Sequence, residues 1–160
     1  MSQQPAMYQN MLACYPYILA RMKQVPGVRD VLEVAELEAV VSDRKVKPVD
    51  NAVYVVFDGF TPDTHVGNKG TLREKLSFSF ILAKRQYTPN RLQYGEDGVG
   101  ELITAIKSAF QGFDPIGDDG KRLTLEPFSA RAALPIVYNE GYAFFPMRFE
   151  TSVAIKFKNP

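Results

Sequence analysis

The sequence predicts an α+β domain, with a mostly antiparallel sheet and two main helices packed on one of its faces. Three observations carry that expectation. The element signals run in the order helix, strands, helix, strands, two stretches place apolar residues at steps of three and four, and two long stretches alternate apolar with polar residues. A chain of 160 residues fits a single domain, residues 1–160, whose core needs neither a disulfide nor a metal.

The first helical pattern is Tyr8, Met11, Leu12, Tyr15, Ile18, Leu19 and Met22, which predicts a helix from Met7 to Met22. Pro16 lies inside it, so the proline either kinks the helix or opens a shorter one as its first residue. Pro26-Gly27 ends the element. Val28 to Val34 reads as a short strand, whereas Ala35 to Asp43 fits both a helical and a strand period. Ala52 to Phe57 is β-branched and aromatic with little alternation, the pattern of a central strand covered on both faces.

Thr61 to Thr71 is rich in Gly, Pro, Asp, Asn and Thr, and predicts a loop longer than a hairpin requires. Leu72, Leu76, Phe78, Phe80 and Leu82 then alternate with Arg73, Lys75, Ser77 and Ser79, giving a strand that forms an antiparallel hairpin with residues 52–60. A second polar loop runs from Tyr87 to Gly98. Val99, Leu102, Ile103, Ile106 and Phe110 follow as an amphipathic helix closed by Gly112. Leu123 and Leu125 suggest a strand. Phe145, Met147, Phe149, Val153, Ile155 and Phe157 make a long terminal strand with Arg148, Glu150, Ser152, Lys156 and Lys158 toward water. The expected core includes Val55, Phe78, Phe80, Leu102 and Ile106.

Composition narrows function. With 19 basic and 18 acidic side chains the formal net charge is +1, so there is no overall field to attract nucleic acid or an anionic membrane. The lone cysteine, Cys14, excludes an internal disulfide and a cysteine-based zinc site, and suits a reducing compartment. The first ten residues lack the basic start of a secretory signal, and no apolar run approaches the ~20 residues of a membrane span, so a soluble chain is expected.

The search for reaction chemistry leads to an expectation of no catalytic, metal or cofactor-binding residue. His65 is the single histidine, so a histidine metal site or a serine triad would rest on it alone. Gly95 to Gly100 precedes a helix, where backbone N–H groups can hold phosphate, but it lacks P-loop or dinucleotide spacing. Asp114, Asp118 and Asp119 lie in a turn and do not match an EF-hand. Arg73, Lys75, Lys84 and Arg85 read as solvated or edge-guarding charges. The rival to a non-enzymatic role is a small nucleotide-binding enzyme that uses the Gly95–Gly100 loop with Asp97 and His65.

Eight tyrosines and eleven phenylalanines are more informative. Tyr138, Tyr142, Phe144 and Phe145 crowd one neighbourhood beyond what a single strand face can bury, which points to self-association. The surplus length of the Thr61 to Thr71 loop points to a contact element. The candidate interface residues are Asp63, His65, Asn68, Lys69, Arg73, Lys75, Tyr138, Tyr142 and Phe144.

The arrangement resembles the tail terminator proteins of long-tailed bacteriophages. The likeness rests on the N-terminal helix followed by Val25-Pro26-Gly27-Val28, the strand Val53-Tyr54-Val55-Val56-Phe57, the polar hairpin loop, the strand from Leu76 to Leu82, the helix from Gly100 to Ile106 and the late Phe149-Glu-Thr strand. The resemblance implies a ring-forming subunit, a hexamer that stops tail-tube polymerisation and meets the head-side connector, with a sheath contact if the tail contracts. It implies no enzyme activity and no cofactor, and a place in the virion at the neck after assembly in the host cytoplasm. Another neck or head-to-tail joining subunit is the neighbouring alternative. DNA passes through such a ring without being bound specifically, which agrees with the near-neutral charge, and no membrane is involved.

Overall fold

Strand length sets the architecture. The computed structural model describes residues 5–37, 48–63, 70–85 and 98–157. Its elements are a 3-10 turn at Ala6–Tyr8, α1 (Tyr15–Lys23), β1 (Asp30–Glu33), β2 (Ala52–Pro62), β3 (Thr71–Arg85), α2 (Val99–Phe110), β4 (Ser129–Arg131), β5 (Val137–Asn139) and β6 (Tyr142–Lys156). They build the α+β arrangement that the sequence predicts, a six-stranded mixed sheet of order β1-β2-β3-β6-β4 in which β5 also pairs with β6. Among the described strands only the β1–β2 pairing is parallel.

Both β3 and β6 are 15 residues long, about 50 Å at ~3.3 Å per residue. The helices have 9 and 12 residues, roughly 14 and 18 Å at 1.5 Å per residue. Each helix is therefore shorter than half of these strands. Beneath the helices lies the main core, where Ile18, Met22, Leu102, Ile106 and Phe110 meet Val53, Val55, Phe78, Phe80, Leu82, Phe145 and Phe149. Phe80 sits at its centre, with ring centroids 4.6 Å from Phe110 and 5.7 Å from Phe149. All five expected core residues are buried here.

The first helical pattern splits at Pro16. Residues 9–14 form turns, and α1 opens at Tyr15 with the proline in its first turn, where a missing N–H breaks no intrahelical bond. Arg21 links α1 to the end of α2: its Nε donates to the Ala109 carbonyl, one of the acceptors left open in a last helical turn, and its guanidinium lies 4.4 Å from the Phe113 ring centre. Gly27 is required between them. Its φ is +91°, and a Cβ there would lie 3.1 Å from Leu102 Cδ1 on α2.

A second, smaller core lies on the far face of the sheet. Ala52, Tyr54, Val56, Ile81, Ala83 and Phe144 are buried there, with Leu32, Val34, Leu37, Val49 and Tyr142 packed around them. Burial on both faces explains the unalternating run of β2. It also absorbs much of the aromatic crowding near Tyr142, because successive residues of a strand enter opposite cores.

Several expectations are corrected. The strands extend to Pro62 and from Thr71, and the Asp63 amide donates to the Arg73 carbonyl, so the connecting loop is shorter than 61–71. Leu123 and Leu125 are not in a strand. Leu123 is buried beside a turn closed by the isolated Ile116–Arg122 bridge, while the Thr124 and Thr151 hydroxyls both donate to the Glu126 carbonyl and pin that segment on β6. Ser152 is consequently buried instead of wet, its carbonyl accepting from the Leu125 amide. Most of Ala35 to Asp43, Tyr87 to Asp97, and Lys158 lie outside the described residues. β4 and β5 are too short to leave a periodic signal. β5 turns into β6 through Glu140 (φ 49°) and Gly141 (φ 82°), a two-residue hairpin connection with both central residues at positive φ.

Candidate functional site

The sheet beyond the helices is a long β2–β3 hairpin backed by β6, and its placement depends on one bulge. Phe57 faces Phe78, but Gly59 faces Ser77, so Asp58 is the extra residue and the side-chain alternation inverts after it. Gly59 supplies the left-handed backbone at φ +120°. As a result Phe60 opposes Leu76 on the helix side and stacks on Phe57 at 6.5 Å, although its ring is exposed. Leu72 and Phe157 continue the same face toward the hairpin end and are also exposed.

On the far face, Asp58 accepts a hydrogen bond from Ser79 Oγ and lies 3.5 Å from Arg148 Nε. Arg131 Nε donates to Glu150 at 3.0 Å one pair further along. Beside this polar row is a groove of about 250 Å³ lined by the apolar side chains of Leu37, Val56, Ile81, Leu134 and Pro146 together with Glu36, Asp58 and Ser79. One rim belongs to residues 132–136, an exposed apolar strap between β4 and β5.

The nominated interface residues do not form one cluster. Asp63 and Arg73 make an ion pair at 3.8 Å at the hairpin end, where Arg73 also reaches Glu126 at 3.4 Å. Lys75 is exposed two residues on. His65, Asn68 and Lys69 lie outside the described residues. Tyr138 is exposed on β5 at the opposite end of β6, and Tyr142 is half-buried and stacked on Phe144 at 6.2 Å. Phe144 itself is buried in the far-face core, so its ring packs within the subunit. Sequence reasoning passed over Phe60, Leu134 and Ile136. A signal existed for the strap, since Pro135 within an apolar run argues against a central strand and so for apolar side chains near the surface.

The three acids of the 114–119 turn have partners within the subunit. Asp114 pairs with Arg122 at 3.0 Å, Asp118 accepts from the Tyr17 hydroxyl at 2.8 Å, and Asp119 accepts from the Lys121 amide at 3.0 Å, which accounts for all three acids of the turn. Among the described residues no three His, Cys, Asp or Glu side chains are grouped to hold a metal ion. Tyr15 is raised by burial first and then by the hydrogen bond and charge of Glu33. α2 starts directly after Gly98, and residues 95–97 lie outside the described set.

Burial pushes the Cys14 thiol from 9 up to about 12, opposite to the shift of a reactive thiolate. Because the folded pKa lies above the unfolded one, its contribution to stability is complete below about pH 9 and is lost as pH rises toward about 12. The expected result is a native thiol inert to disulfide reagents at neutral pH. The fall in melting temperature across that alkaline window should become shallower in Cys14→Ala, as read by circular dichroism.

The described surface thus offers exposed apolar side chains and ion-paired charges. A family model for the phage tail terminator protein matches residues 8–159, nearly the whole chain. The chain belongs to the phage tail terminator family. Comparison with curated proteins gave no match. Membership makes the chain a structural protein of a phage tail, in a family that is non-enzymatic, and so a component of the virion that meets other tail components. None of the described helices is long and apolar enough to cross a membrane.

Proposed function

We propose that this protein assembles into a ring, a hexamer, that caps the completed tail tube, stops its polymerisation and presents a surface to the head-side connector. The single observation that carries this reading is the family match over residues 8–159. Supporting it, the sheet extends well past its own helices and ends in exposed apolar side chains that a lone subunit leaves in water. The hairpin end with Asp63, His65, Asn68, Lys69, Arg73 and Lys75 is the contact element toward a neighbouring copy or the tube, and a sheath subunit meets the ring in a contractile tail. The ring sits at the neck and assembles in the host cytoplasm. The net charge of +1 lets DNA pass without being held.

The test combines mass with morphology. Light scattering of the purified protein, alone and with isolated tails, should detect a closed oligomer of six. Electron microscopy of tails made without the protein should show tubes of uncontrolled length that lack heads, and adding the protein should restore both length and joining. Tubes of normal length that fail only to join heads would instead identify another neck subunit.

A further inference from the structure

We infer that neighbouring copies join head to tail through two different apolar surfaces of this chain, the helix-side patch led by Phe60 and the far-face groove rimmed by Leu134. This deepens the ring reading and rests on it. Phe60 (58% exposed), Leu72 (38%) and Phe157 (47%) share the helix-side face beyond the reach of α1 and α2. Leu134 (59%) and Ile136 (47%) belong to the strap beside the groove. The two surfaces lie on opposite faces and are displaced along the strands. From Leu72 to Ile81, which lines the groove, β3 advances about 30 Å at ~3.3 Å per residue.

That geometry selects the kind of contact. A single two-fold interface, in which residue i meets j and j meets i, would have to present both surfaces on one side of the subunit, and these lie on opposite faces of the sheet, whereas a head-to-tail contact uses each surface once per subunit and can close a ring. The size of the groove selects its occupant. At about 250 Å³ it is smaller than the ~300–1,000 Å³ typical of sites for small molecules and cofactors, and suits one or two inserted side chains of the kind that anchor protein interfaces. Phe60 and Leu72 of a second copy are such side chains.

The experiment mixes complementary defects. Phe60→Asp and Leu134→Asp each change an exposed position, so both proteins should fold, with melting curves within a few degrees of wild type. Each alone should remain monomeric under conditions, in solution or on tail ends, where wild type forms rings. A one-to-one mixture should stop at a dimer, because Leu134→Asp retains the Phe60 patch and Phe60→Asp retains the groove, leaving one productive contact. Phe60→Leu should still form rings. Rings from either Asp variant alone, a homodimer of either, or a mixture that stays monomeric would overturn this assignment of surfaces while leaving the ring reading intact. A wild type that never assembles, even on tail ends, would sink the ring reading itself.

Discussion

Phe80→Ala should destabilise the subunit by about 3–5 kcal/mol, the cost of removing a fully buried phenylalanine and leaving a cavity. Phe80 has no exposed surface, and its ring lies between Phe110 of α2 at 4.6 Å and Phe149 of β6 at 5.7 Å. Its loss therefore removes a contact at which α2, β3 and β6 meet. Against a typical total stability of ~5–15 kcal/mol such a loss leaves a marginal fold, and the melting temperature should drop on the order of 10 °C. Urea unfolding followed by far-ultraviolet circular dichroism measures it. Phe60→Ala is the control, since a ring 58% exposed should cost about 1 kcal/mol or less. Equal losses at the two positions would contradict the assignment of faces by the bulge at Asp58.

Replacing residues 64–69 by Asn-Gly is expected to leave the fold intact and to abolish assembly on tails. β2 and β3 are already paired through Pro62–Glu74 and by the Asp63 amide to the Arg73 carbonyl, so a short connection closes the hairpin without them. The wild-type connection is longer than closure requires, and ordering its surplus costs conformational entropy that folding of the subunit does not repay. In the proposed ring, a contact to the next copy or to the tube would repay it through the hydrogen-bonding groups of His65, Asn68 and Lys69. The shortened protein should melt within a few degrees of wild type, and a phage relying on it should lose infectious titre by several orders of magnitude. Normal titre would remove the loop from the contact surface and leave the other candidate residues standing.

Legibility in the sequence followed the size of the physical signal. The period of α2 and the alternation of β3 and β6 extend over enough residues for chance to be a poor explanation, and those elements stand where the pattern puts them. β4 and β5, at three residues each, contain too few side chains to establish any period and exist only because β6 offers them an edge. Leu123 and Leu125 look like a strand because burial and alternation coincide there by chance. Their backbone groups are spent instead on the turn beside Pro115 and on Ser152. Of the interface candidates, Arg73, Lys75 and Tyr138 were legible as polar or aromatic residues on predicted strand faces or loops. Phe144 reads as a surface residue from its own strand, because a second core is not visible in one strand alone.

The sequence by itself determined the fold class, the presence of two helical patterns, the long hairpin and its partner strand, because each of these is encoded in local periodicity or in residue types near one another in the chain. Only the tertiary structure decided which surfaces are left over. That Phe60 faces the helix side depends on a one-residue bulge opposite β3, that Phe144 is buried depends on Tyr54, Val56 and Ile81 meeting it on the far face, and that Leu134 rims a groove depends on residues 35–37 standing across from it. Each is a relation between segments far apart in sequence. A side chain's exposure is fixed by what the rest of the chain brings against it, and no local pattern holds that information.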